Sequence, residues 1–149
     1  MNSDKICLDA NVVVAWVLVE KYSEKADALI HSLKYGGIEI VVPPLFHPEV
    51  ATAIRKQVYF KGILPQEGDQ AFSIYQSIPI RIIEGIEIYR RAWQLASAYN
   101  LPVCYDTQYL AVAEIIDCPL WTNDIKFVNA LRGRSKYVRW LGAYPEKEE

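Results

Sequence analysis

The strongest constraint on the fold of this chain is a set of five short runs rich in apolar residues. Longer stretches with helical periodicity separate these runs. Each run is only three to five residues long, which is typical of strands buried on both faces of a sheet. Parallel strands need a crossover between them, and the usual crossover is a helix. The alternation therefore predicts an α/β fold with helices on both faces of a central parallel sheet, in three α/β/α layers. The predicted strands are residues 5–8, 38–42, 80–83, 120–122 and 137–140.

Seven segments with apolar residues at helical spacing lie between these strands. Ser23 suits the N-cap of the second segment, and Pro48 stands in the first turn of the third, where proline is tolerated. Gly36 and Gly37 stop the second segment, as glycine does at helix ends. The predicted helices are residues 12–20, 23–35, 48–61, 65–77, 86–99, 105–116 and 125–131.

The length of 149 residues predicts one domain, residues 1–149, with a frayed tail at about 145–149. No apolar stretch reaches the ~20 residues that cross a bilayer, and the first residues lack the basic start and apolar run of a signal peptide. The three cysteines, Cys7, Cys104 and Cys118, show no metal-finger spacing. Buried free thiols are the simplest interpretation, so we expect a cytoplasmic protein.

Four acidic residues stand at places where a globular protein rarely leaves a charge unpaired. Asp9 comes directly after the first strand, and Asp124 comes two residues after the fourth. Glu49 follows the second strand after a short turn, and Asp106 opens a helix. In an open parallel sheet, functional groups gather beyond the carboxyl ends of the strands. We therefore expect all four carboxylates at one edge of the sheet.

The electrostatic cost of such a cluster indicates what it binds. Four ionised carboxylates about 6 Å apart repel one another by ~3 kcal/mol per pair at an effective dielectric constant near 20. The summed repulsion rivals the ~5–15 kcal/mol stability of a whole domain. The cluster must therefore protonate in part or bind cations, and oxygen ligands favour Mg²⁺ or Mn²⁺ over zinc. Taken singly, Asp106 and Asp124 also suit N-caps, and Glu49 suits a first-turn acid.

Three polar residues and two basic groups complete the candidate site. Side chains beside the acids are suited to hydrogen-bond a carboxylate, a metal-bound water or a phosphate oxygen, and they also suit ordinary turns: Asn11, Thr122 and Asn123. The basic groups either contact phosphates or form a solvated face: Arg132, Arg134 and Lys136, and Arg55 and Lys56. The net charge of −2 does not favour nucleic-acid binding, but an acidic site lowers the net charge by itself. A contact of His47 with the site is left open.

In this order, these segments resemble the PIN-domain family. The matching stretches are LDANVV at 8–13, Pro48 with Glu49, YDTQYLAVAE at 105–114, and WTND at 121–124. In length and layout the chain is similar to the VapC-type toxins of prokaryotic toxin–antitoxin pairs, over about residues 5–140. It departs from the family pattern where Ala10 and Asn11 replace a frequent Thr or Ser, and where Thr107 replaces a frequent Ala. These departures concern substrate choice more than catalysis.

The resemblance implies a parallel sheet of about five strands in the order 3-2-1-4-5 and a Mg²⁺- or Mn²⁺-dependent endoribonuclease. It implies that Asp9 is the central metal ligand, and that Asp106 and Asp124 share this ion or bridge to a second one. Glu49 then binds metal or acts as the base that takes a proton from water. The resemblance also implies a small antitoxin partner, and we expect a homodimer.

Two other interpretations stay open from the sequence. The first is a metal-dependent phosphatase on a related sheet. Enzymes that resemble the haloacid dehalogenases need a second acid two residues after their Asp nucleophile, and this chain has Asn11 there. The second is a non-catalytic α/β interaction module whose acids merely cap helices. Metal binding discriminates between this module and a nuclease.

Overall fold

The central feature of the fold is a five-stranded parallel sheet. The computed structural model describes residues 1–145, so the tail predicted at 145–149 lies outside the described residues except for Pro145. The strands are β1 (Lys5–Leu8), β2 (Glu39–Val42), β3 (Arg81–Ile82), β4 (Leu120–Thr122) and β5 (Val138–Trp140). Their order is β3-β2-β1-β4-β5, and every neighbouring pair is parallel. The predicted fold class and strand order are confirmed.

Helices connect the strands and pack on the sheet. They are α1 (Ala10–Val17), α2 (Ser23–Gly36), α3 (Phe46–Lys61), α4 (Pro65–Gln76), α5 (Ile86–Ala98), α6 (Asp106–Ile116) and α7 (Ile125–Ala130), and a 3₁₀ turn follows β5 at Leu141–Ala143. No helix within residues 1–145 is long and apolar enough to span a bilayer.

Helix boundaries follow local capping chemistry. Helix α1 begins at Ala10, two residues before its predicted start, because the Asp9 carboxylate accepts a hydrogen bond from the Asn11 backbone N–H and caps the first turn. Helices α2 and α3 end at Gly37 and Gly62, which adopt φ of 63° and 74°. Glycine takes this left-handed conformation at little cost, so each helix stops at its glycine.

The core is built around β1 and α6. In the centre of the sheet, Cys7 and Leu8 have no exposed surface. Five consecutive residues of α6, 109–113, are also fully buried, so this helix is enclosed on every side. Cys7 and Cys118 are buried free thiols, as predicted, whereas Cys104 is half-buried. The burial of β1 and α6 holds Asp9 and Asp106, at one end of each element, on a rigid frame.

Candidate carboxylate site at the sheet edge

Asp9 lies at the carboxyl end of the central strand and is only 3% exposed. Its backbone N–H donates to the carbonyl of Trp121 across the β1–β4 pair, at 3.0 Å. Its carboxylate accepts a 3.0 Å hydrogen bond from the Thr122 hydroxyl and a 3.3 Å bond from the Asn11 backbone N–H. The side chain is therefore fixed by groups from β4 and from the first turn of α1.

Burial first, and then the neighbouring carboxylate of Asp106, raise the pKa of Asp9 from its usual 3.8 to about 8. Hydrogen bonds from Asn11 and Thr122 lower this pKa, and Glu49 raises it. With no cation bound, Asp9 therefore holds its proton at neutral pH, because the surroundings penalise its charged form.

Asp106 occupies the first position of α6, where the helix N-terminus carries it to the same edge. The pKa of this half-buried carboxyl is raised to about 6, first by burial and then by Asp124 and Glu49. Asp106 thus interacts with both of these acids, and Asp9 interacts with Asp106 and Glu49. The structure brings the four predicted acidic residues into one electrostatic cluster.

Glu49, in the first turn of α3, is held by a tyrosine that was not among the predicted site residues. The hydroxyl of Tyr109 donates a 2.6 Å hydrogen bond to Glu49 Oε1, and the tyrosine has no exposed surface. Burial and the nearby carboxylates raise the pKa of Tyr109, so it stays a hydrogen-bond donor. One sequence signal points to it: Tyr109 lies three residues after Asp106, and such residues share one face of a helix.

Thr122 connects the polar residues around Asp9. Its hydroxyl donates to Asp9 and accepts from the Asn11 side-chain amide at 3.3 Å and from the Asp124 backbone N–H at 3.2 Å. The side-chain oxygen of Asn11 (Oδ1) accepts a hydrogen bond from the backbone N–H of Asn123 at 2.8 Å. Asp124 also caps α7 through Lys126 and Phe127. Asp124 thus caps α7 and also belongs to the acidic cluster.

His47 and the two basic groups differ in where they lie relative to the acidic edge of the sheet. His47 does not extend the acidic cluster, because its Nδ1 hydrogen-bonds the Tyr75 hydroxyl. Arg55 and Lys56 are exposed on α3, the helix that carries Glu49. The other basic group precedes the start of β5, whereas the acids follow the ends of β1 and β4. Since these strands are parallel, this basic group lies at the opposite edge of the sheet. It consists of Arg132, Arg134 and Lys136, and its contact with RNA stays a prediction.

The donor chemistry of the cluster fits a divalent cation. Its ligands are carboxylate oxygens, which Mg²⁺ and Mn²⁺ prefer. Beside them, the side-chain carbonyl oxygen of Asn123 is buried without a hydrogen-bond partner among residues 1–145. In that same part of the chain, no three Asp, Glu, His or Cys side chains are grouped as a ready metal-binding set. The carboxylates are therefore electrostatic neighbours and not a preformed coordination shell.

The fold and this acidic edge define an α/β protein with a carboxylate site at the ends of its central strands. The model of the PIN domain family matches residues 6–131. The chain belongs to this family.

Curated relatives are similar to part of the chain. A VapC ribonuclease of Mycobacterium bovis and Ribonuclease VapC9 of Mycobacterium tuberculosis are each 26% identical to it over 85 residues. This stretch covers 57% of the chain and 65% of each relative. The chain thus matches slightly less than two thirds of the length of these relatives.

Solved structures share the fold over nearly the whole chain. A toxin–antitoxin complex from Klebsiella pneumoniae has a TM-score of 0.61 and 16% identity, and covers 90% of this chain and 95% of that one. PAE2754 from Pyrobaculum aerophilum has a TM-score of 0.65 and 18% identity, with coverages of 93% and 92%. VapBC2 from Rickettsia felis, bound to a DNA fragment from its promoter, has a TM-score of 0.64, 16% identity and coverages of 91% and 98%.

Proposed function

We propose that this protein is a Mg²⁺- or Mn²⁺-dependent endoribonuclease, and the cytoplasmic toxin of a toxin–antitoxin pair. The observation that carries the proposal is the buried Asp9 carboxyl, whose pKa is raised to about 8 by burial and by Asp106. Carboxyl groups with strongly raised pKa values cluster at functional sites. Membership of the PIN domain family and the similarity to VapC ribonucleases support the same chemistry.

The four acidic residues have complementary roles in this proposal. Asp9, Asp106 and Asp124 would hold the cation, and Glu49 would bind it or serve as the base. When bound, the cation supplies Lewis-acid activation of water and neutralises phosphate charge. Water attacks phosphorus in line, the bond from phosphorus to the 3′ oxygen breaks, and that oxygen takes a proton from solvent.

Where Glu49 serves as the base, it would accept the proton of the attacking water. The Tyr109 hydroxyl holds Oε1, so the other carboxylate oxygen is the one that takes the proton. The side-chain oxygen of Asn123, buried without a partner among residues 1–145, would accept a hydrogen bond from a bound water. Thr122 and Asn11 keep Asp9 oriented. These contacts preorganise the site before RNA binds.

The arrangement favours a nuclease over the phosphatase alternative. Asn11 stands where a haloacid-dehalogenase-like enzyme needs its second acid, and both ends of its amide are engaged by Thr122 and Asn123. It therefore serves as a structural link within the site and provides no carboxylate for acid–base chemistry.

The proposal extends to partners and organisation. We propose that residues 1–149 act as one nuclease domain, that the chain forms a homodimer, and that a small antitoxin inhibits it. The fold shared with the toxin–antitoxin complexes supports the antitoxin partner. Of the basic residues, Arg55 and Lys56 share the helix of Glu49 and are the better placed to hold RNA phosphates.

RNA cleavage with and without Mg²⁺ tests the proposal. End-labelled RNA should be cut by the wild type only when the cation is present, and Asp106→Asn should abolish cutting. Asp69→Asn, on the exposed surface of α4, should cut normally. Intact RNA, together with a melting temperature that Mn²⁺ does not change, would identify a non-catalytic interaction module. Release of phosphate from a phosphomonoester without RNA cleavage would identify a phosphatase.

A further inference from the structure

One face of α3 runs from the acidic site to a pair of exposed aromatic side chains. An open groove of about 620 Å³ is lined by Glu49, Thr52, Lys56 and Tyr105 among others. A second groove of about 530 Å³ adjoins it, shares Thr52 and Lys56, and ends at Tyr59 and Phe60. At 1.5 Å per residue, the path from residue 49 to residue 60 is ~16 Å long. We call this continuous surface the α3 track.

The α3 track is positively charged beyond Glu49. Residues 50–61 contain Arg55, Lys56 and Lys61 and no acidic residue. Within residues 1–145, none of these three cations forms an ion pair. In a chain whose net charge is −2, this leaves a local concentration of positive charge next to an acidic site. A polyanion held on the cations would reach the carboxylates at the end of the track.

Flat aromatic surfaces accompany these cations. Tyr59 and Phe60 are each 70% exposed, and their rings contact edge to face at 4.7 Å between centroids. The guanidinium of Arg55 lies 5.7 Å from the centre of the Tyr59 ring. Tyr105, 56% exposed, provides a further ring at the end near the acids. Exposed rings beside unpaired cations are the combination that binds unpaired bases and their phosphates.

We propose that the α3 track binds single-stranded RNA, with bases stacked on Tyr59 and Phe60 and phosphates on Arg55 and Lys56. This inference rests on the proposed function and adds the form of the substrate and the direction from which it reaches Glu49. Stacking needs bases whose faces are unpaired, and a duplex conceals those faces. The α3 track therefore selects single strands or loops over helical RNA.

The second basic group provides an internal contrast. Arg134 lies over the ring of Tyr99 at 4.8 Å, and Lys136 lies over Tyr137 at 5.2 Å. Both precede β5 at the edge of the sheet away from the acids. Arg55 is engaged with a ring in the same way, so the two groups differ in position: Lys56 shares a groove with Glu49, whereas Arg134 and Lys136 lie at the other edge of the sheet.

Fluorescence anisotropy with a labelled single-stranded RNA of about a dozen nucleotides, in EDTA so that it is not cut, tests the proposal. The double variant Tyr59→Ala/Phe60→Ala should bind at least ~tenfold more weakly, since each base stack is worth ~1–3 kcal/mol. Lys56→Ala should lower the slope of log affinity against log salt by about 0.7. The matched controls are Lys34→Ala and Tyr35→Ala, both exposed on α2, and both should bind like the wild type.

Each other result overturns the inference. Unchanged binding by the double variant, equal losses in the controls, equally tight binding of a duplex, or no RNA binding by the wild type would each refute it. If light scattering shows that the double variant becomes a monomer while its RNA binding is unchanged, the α3 track is a protein interface. Cleavage assayed in parallel separates the two proposals. RNA that binds through the α3 track but is never cut would refute the nuclease activity and support the RNA-binding role of the track. Normal cutting by the double variant would support the nuclease activity and refute that role of the track.

Discussion

Replacing Asp9 by Asn removes the most strongly shifted carboxyl group of the site while keeping its shape. Asn is as good an N-cap as Asp, so the start of α1 should persist. Its amide also resembles the protonated carboxyl that the metal-free protein holds at neutral pH, because the pKa of Asp9 is about 8. The substitution therefore changes the titration of this position more than its packing.

The sign of the pH dependence follows from the direction of the pKa shift. Between pH 3.8, the usual pKa, and about 8, the folded protein keeps a proton on Asp9 that the unfolded chain has lost. Unfolding then releases a proton, so the free energy of unfolding of the wild type falls as the pH rises. One proton corresponds to about 1.4 kcal/mol per pH unit, or ~3 kcal/mol between pH 5 and pH 7. The free energy of unfolding of Asp9→Asn should not show this decrease with pH.

Urea unfolding in EDTA at several pH values measures the effect. The stability of Asp9→Asn relative to the wild type should grow by ~3 kcal/mol from pH 5 to pH 7, whatever the constant offset between the two proteins. Asp69→Asn removes an exposed carboxyl outside the cluster, so it should differ from the wild type by a constant amount. Parallel wild-type and Asp9→Asn curves over this range would show that Asp9 is ionised in the folded protein, and would refute the argument.

Four further outcomes are expected. Tyr109→Phe should lower the free energy of unfolding by about 1–2 kcal/mol and, if Glu49 is the base, lower kcat more than it changes KM; unchanged stability and kcat would contradict this. Thr122→Val should destabilise by about 1–3 kcal/mol in urea unfolding, because it breaks three hydrogen bonds around Asp9. Thr107→Val should stabilise by about 1–2 kcal/mol, because the Thr107 hydroxyl is buried without a partner within residues 1–145, and a lower unfolding midpoint would contradict it. Mn²⁺ should raise the melting temperature of the wild type in a thermal scan, and an equal rise in Asp9→Asn would place the ion elsewhere.

The sheet could be predicted from the sequence because its signals are local. Short apolar runs are too short for helices, and glycine and proline mark their ends, so each strand is recognisable without its neighbours. The placement of the acids then follows from topology, since parallel strands bring their carboxyl ends together. Asp106, which has no strand before it, was correctly expected at the end of a helix. Helix α1 includes Val12, Val13 and Val14 because these residues are buried, and packing outweighs the low helix propensity of valine.

The contacts within the site could not be predicted because they are long-range. Tyr109 and Glu49 are 60 positions apart, and Thr122 and Asp9 are 113 apart, so no local pattern pairs them. Proximity in sequence misleads in the opposite way for His47, which is two residues from Glu49 but hydrogen-bonds Tyr75. Residues two apart in a helix do not face each other, so closeness along the chain does not place two groups in one site.

The position of the acidic cluster explains how a marginally stable fold tolerates it. Asp9 and Asp106 lie at the ends of β1 and α6, of which residues 6–8 and 109–113 are buried, so the repulsion acts on a part of the chain that is hard to displace. If the same carboxylates were on exposed loops, they would move apart and their mutual repulsion would weaken. Held in place, they relieve the repulsion by retaining protons or by taking up a divalent cation, and the second route becomes favourable as rising pH removes the first. The buried core therefore does more than stabilise the fold: it maintains the charge density from which cation affinity arises.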